Sequence, residues 1–202
     1  VKAYCSDRIF EMGREGIQIL GGYGFTKEYP VEQYTRDCKI FSIWDGTNFI
    51  QSADLVGRKL NMAGGTVFLD WVEEITEFIR NHRSNTTFKQ ELDLLEEALQ
   101  AIVGLAMDYG RYFAEGKLDL IPLTSTRFLD CMAEVAIGHL FLEQGFIALT
   151  KWETGVADQS FYRGKVDTVR YYCRNFLPQV FARARIIKME DMTAVQISED
   201  DL

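Results

Sequence analysis

From residue 66 onward the apolar side chains recur at intervals of three and four and never settle into alternation. That periodicity confines this part of the chain to helix packed on helix. Val67/Phe68, Trp71/Val72, Ile75 and Phe78/Ile79 form a first stripe. Leu92, Leu95, Leu99, Ile102/Val103, Tyr109 and Phe113 form a second. A third pattern, from about Thr126 to Trp152, is apolar around most of its girth, which predicts a central position. A fourth runs from Ser160 to about Lys188 and is predicted to kink at Pro178. Four such elements read as an up-and-down four-helix bundle over residues 66–189.

The upstream residues are helical too. Ile9, Met12, Gly16, Ile17 and Leu20 keep helical spacing through Ala3–Leu20, until Gly21, Gly22 and Gly24 break it. Pro30 suits the first turn of a helix through Val31, Tyr34 and Cys38. A short turn at Trp44–Thr47 leads to a third helix, Asn48 to Leu60, and Asn61–Gly65 reads as a break between two units. The fold class is therefore all-α, in three parts: 1–62, 66–189 and 190–202.

Charge narrows the partners. The net charge of -8 argues against nucleic acid, which is held by clustered Lys and Arg. Residues 1–60 carry 8 basic and 8 acidic side chains, so the remainder holds the whole excess. Five acids fall in residues 190–202 (Glu190, Asp191, Glu199, Asp200, Asp201), and the tail is expected to be solvated and mobile, without basic partners. Cys5, Cys38, Cys131 and Cys173 form no CxxC pair and read as free thiols of a reducing compartment. With only His82 and His139 present, no metal site is expected. No apolar run approaches the ~20 residues of a membrane span, and no cleavable leader is visible. The chain opens on Val1 inside a helical pattern and is read as a fragment of a longer protein.

Residues 18–51, QILGGYGFTKEYPVEQYTRDCKIFSIWDGTNFIQ, carry the chemistry. Gly21 and Gly22 suit either a helix C-cap or a backbone that approaches a phosphate without a Cβ in the way. Asp45 suits a carboxylate base or a helix N-cap. Arg36 and Asp37 read as a salt-bridged surface pair that fixes the loop before Trp44, and Tyr23, Phe25 and Tyr29 as its packing.

The glycine pair after Gln18, the EYPVEQYTRD run and the WDGTNFIQ segment together resemble the C-terminal signature of the acyl-CoA dehydrogenase family. The resemblance covers about the first 60 residues and implies FAD as cofactor. It implies that Gln18, Ile19, Leu20, Gly21 and Gly22 touch the FAD of a neighbouring subunit in a homo-oligomer, a dimer or tetramer. It implies that Thr47, Asn48 and Phe49 lie along FAD and that Gly46 lets the acyl thioester pass close to the backbone. Asp45 then holds the place of the general base, which removes the α proton while a hydride leaves the β carbon for flavin N5. The thioester carbonyl is polarised in part by the backbone N–H of that base residue. Electrons pass on to an electron-transfer flavoprotein, in a bacterial cytoplasm or a mitochondrial matrix. The 202 residues alone are not expected to retain FAD or turn over.

The family most often has Glu where Asp45 stands, and Asp withdraws the carboxylate by about 1.5 Å. Three outcomes stay open: an ordinary dehydrogenase with a shifted backbone, one specialised for alicyclic or unsaturated acyl-CoA, or a non-catalytic scaffold or oligomerisation protein. Phe49 either narrows the acyl pocket or fills a gap. The extension is similar in architecture to that of the larger dehydrogenases, including the type acting on 3-methylmercaptopropionyl-CoA.

Overall fold

A computed structural model describes residues 1–155, 158–198 and 200. The protein is all-α, and no strand occurs among the described residues. In chain order the helices are α1 (Lys2–Leu20), α2 (Val31–Cys38), α3 (Asn48–Gly57), α4 (Thr66–His82), α5 (Lys89–Glu115), α6 (Leu120–Glu153), α7 (Gln159–Asn175), α8 (Leu177–Lys188) and the short α9 (Thr193–Gln196).

The core gathers on α6. This helix packs against α1, α3, α5, α7 and α8, as its apolar girth predicts. Against the sequence expectation, α6 is long and apolar enough to cross a membrane by length and composition, though part of its apolar stretch is buried against neighbouring helices while Leu140 and Ile147 stay exposed. Along α5, buried Leu92, Leu95, Leu99, Ile102, Leu105, Tyr109 and Tyr112 form one stripe facing the core. Gly116 ends α5 in the left-handed region (φ 71°), and the Lys117 N–H closes the cap on the Tyr112 carbonyl at 2.9 Å.

The fourth pattern is two helices rather than one kinked helix. The chain leaves helical geometry at Phe176 (φ -104°), and Pro178 sits in the first turn of α8, where its missing N–H costs nothing. The third helix is shorter than its sequence pattern. It ends at Gly57 because Arg58 turns away (φ -127°), and a 3₁₀ stretch, Lys59–Gly65, follows. That stretch passes through left-handed Ala63, Gly64 and Gly65.

Two ion pairs, each with a buried carboxylate and a more exposed arginine, cross the bundle. Arg174 Nε donates to Glu91 Oε1 at 2.7 Å, and an Arg183 guanidinium N–H donates to Glu134 Oε2 at 2.6 Å. At the end of α8, Glu190 departs from its expectation as an acid without basic partners. Its two oxygens accept from Arg111 (2.6 Å) and Lys117 (2.8 Å), both brought from the far end of α5 by the fold. The Asp191 carboxylate accepts from the Thr193 N–H at the start of α9. Glu199 and Asp201 lie outside the described residues.

Candidate functional site

Residues 39–42 form a 3₁₀ turn after α2, and the Trp44 N–H closes on the Ile40 carbonyl at 3.0 Å. The chain then takes two successive left-handed steps, Asp45 (φ 53°) and Gly46 (φ 79°), before α3 begins. A non-glycine residue here loses about 1–2 kcal/mol, least for Asp and Asn, whose short polar side chains suit this region. The shorter acid therefore fits the backbone it sits on. Asp45 does not cap α3. Thr47 does, its hydroxyl accepting from the Ile50 N–H at 3.4 Å, because Asp45 lies two residues too early in a reversed turn.

The Asp45 side chain is exposed and edges a hollow of about 380 Å³, whose walls are Lys2, Cys5, Ser6, Ile9, Phe41 and Trp44. Four of these six residues come from the first half of α1, far upstream, and no spacing in the sequence announces it. The turn is also tied to α1. Lys2 Nζ donates to the Gly46 carbonyl (2.6 Å) and to Asn48 Oδ1 (2.9 Å). Asn48 Nδ2 donates to the Ala3 carbonyl (3.1 Å) and to Ser6 Oγ (2.9 Å). The Asn48 amide is thus committed to α1, and what Thr47, Asn48 and Phe49 offer a ligand is the backbone of the helix start, where the first N–H groups have no intrahelical acceptor.

Gln18, Ile19, Leu20, Gly21 and Gly22 are all exposed, at the opposite end of α1. The axial rise of a helix puts them roughly 20 Å from the Lys2–Ser6 end that holds the Asp45 turn. The structure does not bring the two groups together within this chain. Gly21 takes φ 58° and ψ -139°, a region other residues rarely enter. A Cβ at Gly21 or Gly22 would meet nothing within 4 Å, so this backbone is bare and open. Bare glycine backbone at one end of α1 and a helix start at the other fit the phosphates and hydroxyls of a dinucleotide. Among the described residues, no group of three His, Cys, Asp or Glu side chains could hold a metal.

Arg36 does not pair with Asp37. It reaches back to Glu32 at 3.6 Å, since residues four apart share a helix face and adjacent ones do not. Tyr23 and Tyr29 lie with ring centroids 6.0 Å apart, while Phe25 projects outward. Around the turn, Ile40, Phe41, Ile43, Trp44, Phe49 and Ile50 are all exposed, an apolar rim of the kind that marks a surface met by another surface.

Comparison with known proteins follows this division. The family described as "Acetyl-CoA dehydrogenase C-terminal like" matches residues 71–198, and "Acyl-CoA dehydrogenase, C-terminal domain" matches residues 1–60. A butyryl-CoA dehydrogenase of Syntrophomonas wolfei is 38% identical over 98% of this chain and 33% of its own length. A 3-methylmercaptopropionyl-CoA dehydrogenase of Ruegeria pomeroyi is 43% identical over 37% of this chain and 13% of its own. In fold, the chain is similar to an acyl-CoA dehydrogenase complexed with FAD from Bacillus anthracis, with TM-score 0.70 and 20% identity over 98% of this chain and 33% of that one. The chain thus spans about a third of the length of the first of these relatives. It belongs to the acyl-CoA dehydrogenase family, whose C-terminal helical region it represents.

Proposed function

We propose that the whole protein is a FAD-dependent dehydrogenase of acyl-CoA thioesters and that Asp45 is its general base. The observation that carries this reading is the placing of Asp45: an exposed carboxylate on a tethered left-handed turn, beside a hollow with apolar walls. An acyl group lying in that hollow brings its α carbon to the carboxylate, which takes the α proton as the Cα–Cβ double bond forms. FAD, when bound, supplies the acceptor for the β hydride. The Asp45 N–H donates to the thioester carbonyl, and Gly46, lacking a side chain, lets the thioester run along the backbone. Butyryl-CoA dehydrogenase among the relatives supports this substrate class.

The two FAD-facing segments are Gln18–Gly22 and Thr47–Phe49. Their separation along α1 supports a homo-oligomer, dimer or tetramer, in which each site borrows one segment from a second copy. Reduced flavin passes its electrons to an electron-transfer flavoprotein, in a bacterial cytoplasm or a mitochondrial matrix. The exposed rim around Trp44 gains its water-excluding cover from the rest of the polypeptide and from the cofactor. One observation favours a second reading. The Asp45 carboxylate is one C–C bond shorter than that of Glu, which suits an alicyclic or unsaturated acyl-CoA whose acidic proton lies elsewhere, or a scaffold that no longer catalyses.

The test is a panel of saturated straight-chain, methylthio and alicyclic acyl-CoAs, mixed anaerobically with the full-length protein while flavin absorbance is followed. Bleaching by one class identifies the substrate. No bleaching by any class, with FAD bound, refutes the dehydrogenase reading and leaves the scaffold.

A further inference from the structure

The Asp45–Gly46 turn has no regular structure to hold it. Two consecutive left-handed residues point their carbonyls away from any helical ladder, and each is caught by a side chain. Gln51 Nε2 donates to the Asp45 carbonyl at 3.3 Å, and Lys2 Nζ donates to the Gly46 carbonyl at 2.6 Å. The Gln51 contact is long and local. The Lys2 contact is short, charge-assisted and spans 44 positions of sequence. The same ammonium donates to Asn48 Oδ1 at 2.9 Å, so one cation grips the residues on both sides of Thr47. Asn48 returns the grip through the Ala3 carbonyl and the buried Ser6 hydroxyl. Three donors on one small head allow Lys to serve two acceptors at once, in a way the flat fork of Arg matches only in part.

We propose that Lys2 is a positioning residue for the reaction at Asp45. By holding the Gly46 carbonyl, it fixes the rotation of the peptide planes around Asp45, and with it the direction of the Asp45 N–H and carboxylate. The proposal rests on the dehydrogenase reading above. Lys2 lines the same hollow as Asp45, and its ammonium is occupied by the turn. It therefore acts through the turn and not on the substrate. Loss of the ammonium leaves the acyl pocket in place and lets the turn rotate. A transition state that needs both the N–H and the carboxylate in register then suffers more than substrate binding does.

The experiment compares wild type, Lys2→Met and Lys2→Arg as full-length proteins, reading kcat and KM for the best acyl-CoA, FAD content, and hydrogen–deuterium exchange over residues 43–52. The expected result for Lys2→Met is kcat lower by about 100-fold, KM changed by less than about threefold, stoichiometric FAD, and faster exchange confined to that peptide. Lys2→Arg recovers about a tenth or more of the wild-type kcat, because one charge-assisted bond is restored. A Lys2→Met enzyme within about twofold of wild type overturns the proposal. So does a loss that tracks FAD release, or one that Lys2→Arg does not relieve. If wild type itself fails to reduce its flavin, the dehydrogenase reading falls and takes the positioning role with it. If wild type works and exchange over 43–52 is unchanged in Lys2→Met, the clamp alone is wrong.

Discussion

Ser52 and Ser125 place their hydroxyl oxygens 3.0 Å apart, with both side chains fully buried where α3 crosses α6. Ser52 also lies 2.8 Å from the Phe49 carbonyl and 3.2 Å from the Thr126 hydroxyl. The helix that starts just after Asp45 is thereby fastened to the central helix of the extension. The bundle thus fixes one side of the turn, as Lys2 on α1 fixes the other.

Ser52→Ala leaves buried hydroxyl partners unmatched and is expected to lower unfolding free energy by about 1–2 kcal/mol. Urea unfolding followed by circular dichroism reads this as a lower midpoint at unchanged slope. An unchanged midpoint would show that the two serines are not linked.

Glu134 is buried, its Oε1 has no protein partner, and its Oε2 depends on Arg183. Arg183→Met strands that carboxylate and is expected to destabilise by about 3–5 kcal/mol. The double variant Glu134→Leu/Arg183→Met removes both charges and is expected to regain most of the loss. A single variant as mild as the double would contradict the account.

His139 is buried against Phe78, at 4.7 Å between ring centroids. Burial lowers its pKa, while Glu143 and Glu74 pull the other way. Its neutral form is thus the one favoured by the fold. The stability it contributes is complete above the unfolded value of about 6.5 and is lost as pH falls from there through the lowered folded value. Unfolding free energies measured between about pH 5 and about pH 8 should fall on the acid side for wild type and fall less for His139→Leu. Identical slopes would rule His139 out as the cause.

Gly46→Ala places a Cβ at φ 79° and 3.1 Å from Gln51 Nε2. It is expected to cost about 1–2 kcal/mol in backbone strain and to slow turnover of the full-length protein, as measured by steady-state kinetics. Full activity would mean that the turn relaxes without consequence.

Much of this architecture is legible in the sequence because helical periodicity is a local signal. The stripes of α4 and α5, the central place of α6 and the break at Gly21 all follow from spacing and residue type. What escapes is whatever depends on residues far apart in the chain. Lys2, Ser6 and Ile9 join the hollow beside Asp45 only because α1 folds back on the turn. Glu190 finds Arg111 and Lys117 only because α8 ends beside the end of α5. The cap of α3 falls on Thr47 rather than Asp45 because the backbone reverses hand there, which residue type permits but does not dictate.

The central claim is that Asp45 removes the α proton, and isotope exchange reads that step without requiring net oxidation. Full-length protein is incubated with acyl-CoA in deuterium oxide, and the recovered thioester is analysed by mass spectrometry for deuterium at the α carbon. The account predicts incorporation by wild type and none above background by Asp45→Asn, which keeps the left-handed turn but cannot accept the proton. Equal incorporation by the two proteins, or none by either, would contradict it.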